Sequence, residues 1–156
     1  MVKKINFMLN KTILFAGLIM SCVACGDKEN TTDNAVSKEL LLTEKEWVVS
    51  SLEEKENNGP WEDVFKFFIP CVKDNTFKFN KDGEVIYGEG TIACNPNRPQ
   101  QELSRQKWAF NAAKNAIIID GLEYKIIELS RGKMTTLSEE ISNGVKTETR
   151  ASYIHK

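Results

Sequence analysis

Histidine is nearly absent from the sequence: His155 is the only one, and it is next to last among 156 residues. Without a second histidine, a catalytic triad or a histidine-based metal cluster is hard to build. A glycine-rich phosphate loop, an alternation of strands and helices, and internal repeats are missing too. The adjacent acidic pairs Glu53–Glu54 and Glu139–Glu140 would point to opposite faces of a strand, so they form no facing acid–base pair. We therefore expect no enzymatic activity, no metal and no cofactor.

The sequence also lacks an apolar run long enough to cross a membrane as a helix. The run Ile13–Val23 is apolar or small, whereas a membrane-spanning helix needs about 20 apolar residues. Lys3, Lys4 and Lys11 precede this run, and no acidic residue does. A basic segment followed by a short apolar run is the pattern of an export signal. We therefore predict a signal peptide over residues 1–24.

The stretch LIMSCVACGDKEN, which spans the end of this segment, resembles the lipobox of bacterial lipoproteins. The resemblance implies that Cys25, or alternatively Cys22, is lipidated and becomes the first residue of the mature chain. Cleavage without lipidation is the remaining alternative. A lipid anchor would hold the protein in the cell envelope, at the outer membrane, with the polar residues 25–36 as a flexible tether.

An excess of positive charge is missing as well. The whole sequence has 21 Lys and Arg against 22 Asp and Glu. Loss of Lys3, Lys4 and Lys11 with the signal peptide would leave 18 basic side chains against the same 22 acidic ones. The mature net charge of about −4 offers no basic surface, so nucleic acid is not an expected partner.

Two cysteines, Cys71 and Cys94, lie beyond the signal region. Thiols that reach an oxidising compartment usually pair, which predicts a disulfide between these two. A structural zinc site would need four ligands. Free or reactive thiols and a metal site are the alternatives to the disulfide.

The remainder, residues 37–156, contains short stretches in which apolar and polar side chains alternate, separated by turn residues. About eight such stretches, spaced near ten residues apart, predict an all-β domain. An antiparallel up-and-down barrel is the expected architecture, with a β-sandwich as the alternative. Ser37 is expected to cap a short N-terminal helical segment. The spacing of Trp61, Phe65 and Phe68 predicts a brief amphipathic helix. Its aromatic side chains are expected to plug one barrel end, and the alternatives are that they cap a ligand or face a partner protein.

Several motifs together resemble the lipocalin-like domains of small bacterial lipoproteins. They are LLTEKEW near the start, the cysteine-bounded hairpin CVKDNTFKFNKDGEVIYGEGTIAC, and the later WAF, IIID and YKIIEL. The likeness covers roughly residues 38–156. The glycine that precedes the tryptophan of true lipocalins is missing, because Lys45 and Glu46 precede Trp47. The resemblance implies a barrel, a lipid anchor and binding of an apolar ligand.

Two functions are compatible with these sequence features. In the first, the barrel binds a small hydrophobic molecule, although the same side chains could simply fill the interior of a barrel of this size. In the second, a filled barrel has a structural or protein-docking role in the envelope, and the loop Asn95–Gln101 is the candidate contact. The expected ligand-binding side chains are Trp47, Phe77, Phe79, Tyr87, Trp108, Phe110 and Tyr124, with Ile117 and Ile119.

Overall fold

The structure, a computed structural model, describes residues 36–97 and 102–156. Within these ranges, no helix is both long enough and apolar enough to cross a membrane. Several predictions fall outside the described residues and remain predictions. They are the signal peptide 1–24, the tether 25–36 apart from Val36, lipidation at Cys25 or Cys22, and positions 98–101 of the candidate docking loop.

Strands dominate the part of the chain that the structure describes, with two short helices and one 3₁₀ turn. The helices are α1 (Lys38–Thr43) and α2 (Pro70–Lys73), and the 3₁₀ turn is Phe65–Phe67. The strands are β1 (Trp47–Glu56), β2 (Glu62–Asp63), β3 (Thr76–Phe79), β4 (Glu84–Gly88), β5 (Glu102–Phe110), β6 (Ala116–Ile119), β7 (Leu122–Leu129), β8 (Lys133–Ser142) and β9 (Val145–His155).

The sheet closes on itself. Every neighbouring pair in the order β1-β3-β4-β5-β6-β7-β8-β9 is antiparallel, and β1 pairs with β9 from Trp47↔His155 to Glu56↔Thr147. Eight strands therefore form an up-and-down barrel, while the two-residue β2 pairs with β1 beside it. The predicted barrel is confirmed, and the sandwich alternative is wrong because consecutive strands lie side by side.

Two-residue turns explain why the chain makes consecutive hairpins. Asn143 and Gly144 have φ values of 52° and 79°, and Asp120 and Gly121 have values of 46° and 87°. Positive φ at both central residues is the pattern of the type I′ turn, whose twist matches that of the flanking strands. The β3–β4 hairpin also places a glycine, Gly83, at a positive φ of 82°.

One end of the barrel is filled. Ser37 caps α1 by accepting a hydrogen bond from the Leu40 amide, as the sequence predicted. The helix places Leu42 in the core, and the indole Nε1 of Trp47 donates to the Leu42 carbonyl at 2.9 Å. Both side chains are fully buried. The core cluster at this end consists of Leu42, Trp47, Phe79, Val85, Trp108, Ile117 and Met134.

The predicted amphipathic helix between Trp61 and Phe68 is wrong. The chain instead forms β2, and the Val64 amide continues the pairing by donating to the Leu52 carbonyl at 3.0 Å. Pairing with β1 holds Glu62 and Asp63 extended, and only the 3₁₀ turn Phe65–Phe67 remains of the expected helix. Trp61 plugs nothing: Lys55 Nζ and Arg150 Cζ lie 4.9 Å and 4.4 Å from its ring centroid.

Candidate functional site

A cavity of about 210 Å³, here called the barrel cavity, occupies the interior beyond the core cluster. Some side chains belong to both the core and the cavity wall, so the cavity begins where close packing ends. Gln106 is exposed and also lines the cavity, which therefore reaches solvent beside β5. The complete lining is Phe77, Phe79, Val85, Tyr87, Gln106, Ile117, Ile119, Tyr124, Met134, Thr136 and Tyr153.

Strand periodicity explains why this wall is apolar. Side chains two residues apart on a strand share a face, and β3 thereby directs both Phe77 and Phe79 into the barrel. β6 does the same with Ile117 and Ile119. Each strand from β3 to β9 contributes one or two inward side chains in this way, so the wall is built from most of the barrel.

Two tyrosines of the wall, Tyr124 and Tyr153, stay neutral. Burial raises the pKa of Tyr153 to about 12, although a hydrogen bond with Thr136 opposes the shift. Burial also raises the pKa of Tyr124 above its usual value. Both hydroxyls are therefore protonated at physiological pH, and they present dipoles rather than charges to the cavity.

A second space of about 190 Å³, here called the lid hollow, adjoins the barrel cavity. Phe77, Tyr87 and Tyr153 line both spaces, so these three rings, here called the aromatic partition, separate them. The ring centroid of Phe77 lies 5.0 Å from that of Tyr87 and 5.7 Å from that of Tyr153. The remaining lining of the lid hollow is Val49, Leu52, Phe65, Phe68, Val72 and Asn75.

The outer wall of the lid hollow comes from residues 64–75, here called the lid segment. β3 pairs with β1 only at Trp47 and Val48, and β2 pairs with it only at Glu53 and Glu54. The lid segment covers the stretch of β1 between these two pairings. Its aromatic side chains Phe65 and Phe68 contact each other with centroids 5.9 Å apart. Part of the predicted aromatic plug thus lies over the interior, although not as a helix.

The lid segment is fastened to the connection between β4 and β5. A disulfide joins Cys71 of α2 to Cys94, with Cα atoms 5.2 Å apart, so neither cysteine is a free thiol or a metal ligand. Asp74 Oδ2 accepts hydrogen bonds from the Ile92 amide at 2.8 Å and the Thr91 hydroxyl at 2.9 Å. The bond from the Ile92 amide is the main cause that lowers the pKa of Asp74.

Only some of the expected ligand-binding side chains reach the cavity. Phe77, Phe79, Tyr87 and Tyr124 line it, together with Ile117 and Ile119. A ligand-binding role for these side chains remains a prediction.

The cavity wall does not include Trp47, Trp108 or Phe110. Trp108 Nε1 donates to the Asn80 carbonyl at 3.0 Å, and this bond holds the indole in the core. Phe110 packs edge-on against Trp108, with ring centroids 5.5 Å apart. These three side chains are therefore packing residues, because indole N–H hydrogen bonds and ring contacts hold them at the filled end of the barrel.

Sequence reasoning missed several wall residues that carry a recognisable signal. Met134 and Thr136 on β8, and Tyr153 on β9, follow the same two-residue alternation as the aromatic side chains of β3. Extending the inward-facing alternation to β8 and β9 would have predicted Met134, Thr136 and Tyr153 as wall residues. Asn75, by contrast, precedes β3 in a helix-to-strand connection, where the strand periodicity gives no signal.

The single histidine is a packing residue. β9 extends to His155, whose ring lies 4.0 Å from the ring of Trp47. Burial, assisted by the nearby positive charge of Lys45, lowers the pKa of His155. Within residues 36–97 and 102–156, no group of three or more His, Cys, Asp and Glu side chains is placed to hold a metal ion.

The fold and the site together define a small closed up-and-down β-barrel with a partly open interior, the architecture to which lipocalins belong. No protein-family model matches the chain, and no curated protein matches its sequence. Among solved structures, it is similar to bovine odorant binding protein in complex with a selenium-containing odorant. The identity is 14% over 74% of this chain and 72% of that chain, with a TM-score of 0.41.

A complex of bovine odorant binding protein with undecanal is similar at 13% identity, over 74% of this chain and 73% of that one, with a TM-score of 0.41. A deswapped triple mutant of bovine odorant binding protein gives 13% identity, 70% and 71% coverage, and a TM-score of 0.39. The fold assignment rests on the strand order and on the β1–β9 closure themselves.

Proposed function

We propose that the protein binds a small, neutral, largely apolar molecule in the barrel cavity. The observation that carries the proposal is the unfilled space of about 210 Å³ directly above a tightly packed core. A structural barrel of this size could fill its interior with side chains. Displacement of water from such a solvent-accessible apolar cavity by an apolar molecule is favourable, so it stabilises the complex.

The chemistry of the wall limits the ligand. Among the described residues that form the wall, none is Lys, Arg, Asp or Glu, so a charged group would lose its hydration without gaining an ionic partner. The volume lies below the roughly 300–1,000 Å³ of drug-sized pockets. We therefore expect a short-chain or single-ring compound with few polar atoms.

Thermal unfolding with a panel of such compounds tests the proposal. A compound present at about 100 times its Kd should stabilise the native protein by about 2.7 kcal/mol. Ile119→Trp should abolish the stabilisation, because its side chain lines the cavity and a larger one fills it. Ile118→Trp is the matched control, since Ile118 occupies the same strand and does not line the cavity.

Two outcomes of this experiment would contradict the proposal. If no compound in a panel of alkanes, alcohols, ketones and small aromatics raises the unfolding temperature, the barrel cavity is not a ligand site. Stabilisation that survives in Ile119→Trp would place the ligand elsewhere.

We further infer that the protein is an envelope lipoprotein anchored through Cys25, with Cys22 as the alternative. The support is the basic, apolar and small-residue pattern of residues 1–24. The outer membrane is the proposed location, and residues 25–36 would tether the barrel to it. One acyl chain gives only reversible attachment, so durable anchoring depends on the additional chains that lipoproteins carry.

A docking role in the envelope is the second candidate, and one observation favours it. Phe67 and Ile69 on the lid segment are 75% and 59% exposed, and adjoining apolar side chains in water are typical of contact surfaces. Under this alternative, replacement of both by Ser abolishes cross-linking to an envelope partner, and no compound of the panel stabilises the protein. Stabilisation by a compound together with unchanged cross-linking would reject it.

A further inference from the structure

We propose that the lid hollow is a second part of the ligand site, in which Asn75 accepts a hydrogen bond from a hydroxyl group of the bound molecule. The inference rests on the proposed ligand-binding function and specifies its chemical class. The ligand would be a neutral amphiphile, with an apolar body in the barrel cavity and an alcohol group beneath the lid segment.

The first observation is an incompletely paired amide. Asn75 is 5% exposed and lines the lid hollow. Its Nδ2 donates to the Tyr87 hydroxyl at 2.6 Å. Its Oδ1 is buried and has no hydrogen-bond partner among the residues that the structure describes. Buried side-chain oxygens of folded proteins are paired in the large majority of cases, so an unpaired one calls for an explanation.

The second observation is the apolar character of everything around this amide. Apart from Asn75 and the hydroxyls of Tyr87 and Tyr153, the hollow is lined by aliphatic and phenyl side chains. The Tyr87 hydroxyl is already paired with Asn75 itself. An apolar wall with one or two placed polar groups is the usual composition of a small-molecule site.

The third observation excludes an acidic ligand. Lys73 is the basic residue of α2, and its Nζ lies 5.1 Å from the ring centroid of Phe65. It is not part of the described lining of the hollow. A carboxylate beneath the lid segment would therefore be desolvated without a cation to pair with it. An alcohol avoids this cost and supplies the donor that Oδ1 can accept.

The aromatic partition explains how one molecule could reach both spaces. Phe77, Tyr87 and Tyr153 line the barrel cavity and the lid hollow alike, so a shift of one ring would join the two volumes. Tyr87 is the ring whose hydroxyl Asn75 holds. A ligand hydroxyl bound to Asn75 would therefore lie next to Tyr87, a ring of the aromatic partition that Asn75 holds in position.

The test compares three ligands on the full-length protein. They are a medium-chain primary alcohol, its methyl ether and the alkane of the same chain length. Their Kd values are measured by displacement of a fluorescent apolar probe. The alcohol should bind about tenfold more tightly than the ether, as one hydrogen bond of ordinary strength predicts. Asn75→Leu should remove this preference, so that the variant binds the alcohol and the ether with equal affinity.

Gln106→Leu is the matched control, because it removes the other side-chain amide of the site, on the barrel-cavity side. It should keep the preference for the alcohol. If Asn75→Leu does not fold, Asn75→Ala makes the same comparison without adding bulk.

Two results would overturn the inference and leave the proposed function standing. One is equal affinity of the native protein for alcohol and ether. The other is a preference for the alcohol that persists in the Asn75 variants. Failure of all three compounds to displace the probe would instead reject the barrel cavity as their site, which is a failure of the proposed function.

Discussion

At the scale of single residues, Gly90 shows how closely the lid segment and the β4–β5 connection approach each other. A Cβ atom at this position would lie less than 3.0 Å from both the Asp74 carbonyl oxygen and the Asp74 Cγ. The carbonyl belongs to the backbone at the end of α2, so a side-chain rotation cannot relieve the clash.

Gly90→Ala should therefore destabilise the protein by about 1–3 kcal/mol, the usual cost of forcing extra atoms into a packed site. Chemical denaturation of the native protein and the variant measures the difference. Gly132→Ala is the control, because nothing lies within 4 Å of a Cβ added there. It should change the free energy of unfolding by less than about 0.5 kcal/mol. Equal effects of the two substitutions would show that the close approach at Gly90 is unimportant.

The residue scale also shows what the sequence could tell about the site. Phe77 and Phe79 alternate with polar neighbours, which predicts that they point inward, and both lie on the cavity wall. The same pattern holds for Trp108, yet its indole bonds to the Asn80 carbonyl and packs in the core. The alternation of apolar and polar residues predicts whether a side chain points into the barrel. It does not predict the position of that side chain along the barrel axis, and this position determines whether the side chain packs in the core or lines the cavity.

At the scale of elements, the lid segment is where the sequence was most misleading. Its aromatic residues recur at a helical spacing, but the residues just before it, Glu62 and Asp63, pair with β1 as the strand β2. Such competition comes from a partner strand and is invisible in the local pattern. The barrel strands, unlike β2, could be predicted, because short alternating stretches are separated by turns that contain glycine, asparagine or aspartate.

The disulfide belongs to the same scale, since it joins α2 to the β4–β5 connection. Cys71 and Cys94 are 23 residues apart, and closing a loop of this size should stabilise the protein by about 3 kcal/mol. A Cys71→Ala/Cys94→Ala variant should lose about this much in denaturant unfolding. It should also release a bound apolar probe faster than the native protein, because the lid segment loses its covalent attachment.

A reducing agent provides the control for this experiment. It should reproduce both effects in the native protein and change nothing in the double variant. If the variant unfolds at the same denaturant concentration as the native protein, the covalent link contributes no stability. If only the release rate is unchanged, the lid segment does not control access to the interior.

At the scale of the whole molecule, membrane attachment and barrel folding are predicted to be separable. Cys25→Ser should move the protein from the membrane fraction to the soluble fraction of cells, because the sulfur that would carry the lipid is removed. Circular dichroism of the soluble variant should retain the β-sheet signal. Cys22→Ser should stay with the membrane. The reverse result would place the lipid on Cys22, and retention of both variants would refute anchoring at either cysteine.

The closure of the barrel also determines when the molecule can acquire its shape. β9 forms backbone hydrogen bonds with β1 on one side and with β8 on the other. Until β9 has been synthesised and has paired with them, both neighbours present free edges, and exposed edges favour pairing between chains. A premature stop codon just before residue 145 would remove β9 alone, and β1 and β8 would then keep unpaired edges that prevent the barrel from closing.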